Sequence, residues 1–144
     1  MKALKIIFLI LIAPFALKAQ DVYEVKFRAG VTLHRAAMII FNNGTGKLRV
    51  RYYSGGTKMV EQSIVFQDTK YGIRLACYNP VYPGTKIKYP TYSPDNFYLS
   101  IDEYGKTSLT NVDDRGVTAE CVINKKDGTY AVNQFLSDFD WKLN

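Results

Sequence analysis

Between residues 22 and 124, apolar and polar positions alternate in short runs, each ended by a cluster of turn-forming residues. The clearest case is the stretch 36–53, AAMIIFNNGTGKLRVRYY. Its second half places Leu48, Val50 and Tyr52 on one side and Lys47, Arg49, Arg51 and Tyr53 on the other. Successive strand side chains point to opposite faces, so this segment predicts a strand with one buried and one wet face. Asn42-Asn43-Gly44-Thr45-Gly46 supplies residues that tolerate the positive φ of a hairpin turn. Residues 36–41 are apolar at nearly every position, which predicts a strand covered on both sides. A short helix over 33–40 is the competing reading, and Ile39-Ile40-Phe41 beside a turn favours the strand.

The same alternation recurs along the chain. Tyr23, Val25 and Phe27 alternate with Glu24, Lys26 and Arg28. Val60, Ile64 and Phe66 share a face on which Gln62 is the polar exception. Ile73, Leu75 and Cys77 form a short row, as do Phe97, Leu99 and Ile101. Residues 107–112 predict a weak polar strand, and 117–124 a clear one. The period then changes. Val132, Phe135, Leu136 and Phe139 are spaced i, i+3, i+4, i+7, the stripe of a short helix, with Trp141 and Leu143 extending it.

About eight short strands joined by hairpin-sized turns and followed by a helix predict an all-β antiparallel meander, closed as a small barrel or folded as a sandwich. This layout resembles the lipocalin-type barrel, which also carries a late helix. The Gly-x-Trp signature of that family's first strand is absent, because the only Trp is Trp141. None of its ligands or binding residues is therefore carried over. A core filled by Leu48, Val50, Ile64, Phe66, Leu75, Leu99 and Phe135 would favour a packed interior over a ligand-binding one.

Residues 79–96 break the pattern. They hold Pro80, Pro83, Pro90 and Pro94, every proline beyond the first twenty residues. Proline cannot donate to a sheet ladder, so the segment predicts a loop. Connections of this length are commonly functional. Tyr78, Tyr82, Tyr89, Tyr92 and Tyr98 lie in or beside it, with Lys86 and Lys88 between them. Tyrosine offers a flat apolar face and a hydroxyl with little entropy to lose, and prolines lower the ordering cost of a loop. These seven residues are the candidate ligand-binding set. The alternative is a lid whose tyrosines cover one end of the barrel.

The chain begins MKALKIIFLILIAPFALKAQ. A basic start at Lys2 and Lys5, an apolar run over 6–17 and a small residue at Ala19 predict a secretory signal peptide over 1–19. The run is short for a membrane span, and no Cys follows it to carry a lipid. Export to the periplasm or the cell exterior is the expectation, with residues 20–144 as one domain. Removing 1–19 takes three of the 19 basic residues, so 16 face 13 acidic ones, a net of +3. A modest, scattered charge on an exported chain argues against nucleic acid as a partner.

In an oxidising compartment Cys77 and Cys121 predict either a disulfide or two separate buried thiols, since both lie on the apolar side of their strands. No metal or cofactor motif is present, and neither Asp95-Asn96 nor Asp113-Asp114 has calcium-loop spacing. His34 is the only imidazole, and no G-x-S-x-G nucleophile motif occurs. A cleft joining His34 to a carboxylate would point to an enzyme. Asn43-Gly44-Thr45 matches the glycosylation pattern, but the hairpin turn accounts for the same residues. Lys47, Arg49, Arg51 and Lys58 predict a basic stripe, read as a solvated face that also protects the sheet from edge pairing, or as a patch for an anionic partner.

The chain therefore reads as a non-enzymatic binding protein for a small apolar molecule, a glycan or a peptide. The alternative is an envelope protein or inhibitor that docks through its surface and holds no internal ligand. The two differ in whether the barrel interior is open or packed.

Overall fold

The computed structural model describes residues 20–142. The expected signal peptide, residues 1–19, and Leu143 lie outside the described residues. Eight antiparallel strands form a closed barrel in sequence order: β1 (Asp21–Ala29), β2 (Thr32–Ile40), β3 (Thr45–Tyr53), β4 (Thr57–Thr69), β5 (Gly72–Val81), β6 (Asn96–Ile101), β7 (Thr107–Val112) and β8 (Thr118–Lys126). β1 closes on β8, with Tyr23 opposite Lys125 and Val25 opposite Ile123. Of the two expected architectures the chain adopts the barrel. Closure leaves no open sheet edge among the described strands.

Residues 33–40 are strand rather than helix, for a reason visible in their packing. Ala36 and Met38 point into the barrel, and Ala37 and Ile39 lie under helix α1 (Thr129–Ser137). A segment buried on both faces carries no alternation. The core accordingly has two parts. One fills the barrel, around Val25, Leu48, Val50, Val60, Ile64, Phe97 and Leu109. The other lies outside it, where Phe135, Leu136 and Phe139 cover Val22, Ala37 and Ile39. Phe135 thus belongs to the outer cluster rather than the barrel.

Two local features shape the ends of the barrel. Gly46 has no room for a side chain, since a Cβ there would stand 2.6 Å from the Ile39 carbonyl oxygen. β5 runs further than its prolines suggested. Ser63 pairs with Tyr78 but Glu61 with Val81, so β5 carries one extra residue, and Asn79 adopts a positive φ of 54°. A bulge is one of the few sheet positions that accepts proline, and Pro80 sits in it. The chain then folds back, Tyr82 N–H donating to Ile87 O and Tyr89 N–H to Pro80 O, both at 2.9 Å. Half of the expected loop is therefore a small hairpin set on the end of β5.

Candidate functional site

The barrel interior has three levels. At the middle the inward rows meet and exclude solvent. At the end carrying the β1–β2, β3–β4 and β5–β6 turns, an aromatic plug closes it. At the opposite end it opens as a cup of about 510 Å³.

The plug is built by the proline-rich segment. Tyr89 is buried and Tyr92 half-buried, and both pack on the barrel core. Tyr52 donates its hydroxyl to that of Tyr89 at 3.0 Å. The Tyr92 ring lies 5.3 Å from that of Tyr52. His34 is stacked between Phe27 and Tyr52, 5.1 Å from each ring centre. Asp95 fastens the segment to the barrel wall. Its Oδ2 accepts from Gln62 Nε2 at 2.7 Å and from the Tyr92 hydroxyl at 2.8 Å. Its N–H donates to Gln62 Oε1 at 2.9 Å, and its carbonyl accepts from Cys77 N–H at 3.1 Å. Gln62, the polar exception on β4, is fully buried because it serves Asp95 with both ends of its amide. Burial pushes the Asp95 carboxyl up to about 6, against the lowering effect of its bonds to Gln62 and Tyr92. Burial likewise raises the Tyr92 and Tyr52 phenols and lowers His34.

Beside the plug lies a pocket of about 200 Å³, lined by His34, Tyr92, Ser93, Asp95, Asn111 and the Asp113-Asp114 turn among others. It does bring the only imidazole together with carboxylates. Within it the two kinds of group have other partners. His34 Nδ1 faces the Thr32 carbonyl at 3.1 Å, and Asp95 is engaged by Gln62 and Tyr92. Among the described residues no hydrogen bond joins His34 to Asp95 or Ser93, and no group of three or more His, Cys, Asp or Glu is placed to hold a metal ion.

The cup is lined by Tyr23, Met38, Ile40, Phe66, Leu75, Leu99, Ile101, Thr107, Leu109, Ile123 and Lys125. Met38, Leu75 and Leu109 are buried at its floor, whereas Phe66, Leu99 and Ile123 are half-buried and form its wall. Its volume of several hundred Å³ and its mostly apolar lining with few polar groups fall in the range that small-molecule sites occupy in general.

None of the seven candidate binding residues lines the cup. Tyr89 and Tyr92 face inward in the plug at the other end, and Tyr78, Tyr82, Lys86 and Lys88 are exposed. The Tyr82 ring lies tilted against that of Tyr89, centres 4.7 Å apart. Tyr98, half-buried, is paired in register with Arg74 and Thr110. Tyr89 and Tyr92 thus cover the closed end of the barrel, and the other candidates within the segment face outward. The cup residues sat in plain view as the inward rows of the strands. Linear sequence shows which side chains face inward but not where facing rows fail to meet.

Cys77 and Cys121 are buried free thiols in the barrel core. Burial raises both, Cys121 to about 11, so neither is a thiolate near neutral pH. The basic stripe is a solvated face only in part: Lys47 and Lys58 are exposed, whereas Arg49 and Arg51 are tied to the segment after α1. Arg49 is buried, its Nε donating to Glu61 Oε1 at 2.8 Å and its Nη1 to the Phe139 and Asp140 carbonyls at 3.0 and 2.7 Å. Arg51 Nη1 donates to Asp138 O at 2.9 Å. Arg49 and Arg51 thus clamp the carbonyls of residues 138–140, which directly follow α1.

Compared with known proteins, the chain matches no family model, no curated protein and no solved structure. Among the described residues no helix is long and apolar enough to cross a membrane.

Proposed function

We propose that this is an exported, non-enzymatic carrier of a small apolar molecule held in the cup of the barrel. The observation that carries the reading is the 510 Å³ apolar cavity opening at one barrel end while aromatic packing closes the other. Burying each ligand methylene there is worth about 0.8 kcal/mol. The cavity favours an internal ligand over a protein that docks only through its surface. The inward burial of Tyr89 and Tyr92 favours the cup over the lid as the site for a ligand. Export rests on the pattern of residues 1–19, with the periplasm or cell exterior as destination.

The test is titration with the neutral fluorophore N-phenylnaphthylamine, displaced by dodecanol. Saturable one-to-one binding is expected. Leu99→Trp is expected to fill the cup from its half-buried wall position and weaken binding by at least about tenfold, or 1.4 kcal/mol. Its melting temperature should stay near that of the wild type, because the added ring enters space already empty. Binding unaffected by Leu99→Trp, or no saturable binding, would overturn the reading.

A second reading, acid–base chemistry in the smaller pocket, draws support from a buried imidazole and a carboxyl shifted to about 6 lining one cavity. Loss of a detected hydrolytic activity in both His34→Gln and Asp95→Asn would establish it.

A further inference from the structure

We infer that the molecule carried in the cup is an amphiphile with a single acidic head group, in its simplest form a long-chain carboxylate, whose head is bound at the mouth by Lys125. The inference rests on the carrier reading and adds the chemistry of the ligand. Three observations support it. First, β8 turns Cys121, Ile123 and Lys125 inward in succession, so a lysine occupies a position where the barrel row calls for an apolar residue. Among the described residues Lys125 is the only charged side chain lining the cup, and the Tyr23 phenol is its neighbour across the β1–β8 seam.

Second, its partners are exchangeable. Lys125 Nζ lies 3.5 Å from Asp21 and 4.0 Å from Asp127, and those carboxylates are 55% and 81% exposed. The ion pairs that hold this protein together are different, with Arg35–Glu24 at 2.6 Å and Arg49–Glu61 at 2.8 Å. Loose pairs between exposed side chains contribute little, so an incoming anion displaces them at small cost. Third, the charge pattern selects the head. Neither Asp21 nor Asp127 lines the cup, and Asp21 stands outside it at the mouth, 3.5 Å from the ammonium, so an incoming acidic head takes its place at Nζ. A charge-assisted bond to a carboxylate at the mouth leaves the tail against Leu99, Leu75 and Met38. One lysine balances one negative charge.

The experiment compares dodecanoate with dodecanol, equal in chain length, by displacement of N-phenylnaphthylamine at pH 7.5 and low salt. Dodecanoate is expected to bind at least about tenfold tighter, with a preference that shrinks as salt is added. Lys125→Gln should abolish the preference, and Lys125→Arg should keep it. The side chain is half-exposed, so neither substitution threatens the fold. Equal binding of acid and alcohol to the wild type, or a preference that survives Lys125→Gln, would overturn the head-group assignment and leave the carrier reading standing. If neither compound binds, both readings fall.

Discussion

Arg49→Ala is expected to destabilise the protein by about 3–5 kcal/mol, because it leaves a buried acid without its cation. Arg49 and Glu61 are 6% and 7% exposed, on neighbouring strands and paired in register. The guanidinium also donates to the Phe139 and Asp140 carbonyls, and the Trp141 ring lies 4.6 Å from it. One side chain therefore joins β3, β4 and the segment that follows α1. Lys47 does not replace it, since its Nζ reaches only to 4.0 Å of Glu61. For a chain of this size the loss corresponds to a fall in Tm of roughly 10–20 °C. Arg51→Ala, which removes an exposed bond to the Asp138 carbonyl, should cost less than about 1 kcal/mol. Thermal melts followed by circular dichroism measure both. The double variant Arg49→Met with Glu61→Leu removes both buried charges and should recover most of the loss. A single Arg49→Ala variant melting within 3 °C of the wild type would show that the clamp does not hold the helix.

The arginines also show where the sequence was legible and where it was not. Alternation gave the strands, their faces and the meander, because a sheet with one wet face writes its geometry into every second residue. In Lys47, Arg49 and Arg51 the same rule correctly set the outward face. It misjudged the environment of that face, because the covering element arrives some ninety residues later in the chain. The i, i+3, i+4, i+7 stripe of the helix was plain, but not the strands it would cover. Met38 and Ala37 show the converse case, where two-sided burial erased the alternation and left a helix in contention.

Residues 79–96 were marked by composition, and the lid was one of two readings of it. The bulge at Asn79, the turn-back at Val81 and Lys88, and the burial of Tyr89 required coordinates. One trace of the plug was present beforehand. Gln62 interrupts an otherwise apolar inward row, and a buried amide needs partners for both its oxygen and its nitrogen. Asp95 supplies both, 33 residues along the chain.

That same pair makes Asp95→Asn the most informative substitution at the closed end. A carboxyl held at about 6 in the folded chain, against an ordinary value of 3.8, opposes folding whenever it is charged. Between these two values the folded state keeps a proton that the unfolded chain has released. By linkage, stability then falls as pH rises from about 4 to about 6, and the penalty is complete above 6. Two units correspond to roughly 3 kcal/mol at most. Asparagine reproduces the neutral form. A single oxygen, Oδ2, accepts from both Gln62 and Tyr92, so an amide oxygen in that place retains both bonds. It also removes the repulsion from Asp114, which raises Asp95 further. Asp95→Asn should therefore stabilise the protein at pH 7.5 by roughly 1–3 kcal/mol and have almost no effect at pH 4. His34, which burial lowers, titrates in both proteins and cancels in the difference. Urea denaturation of the two proteins from pH 4 to pH 8 measures that difference directly. A constant gap between them, or a gap that narrows as pH rises, would mean that Asp95 is charged in the fold at little cost, its bonds to Gln62 and Tyr92 offsetting its burial.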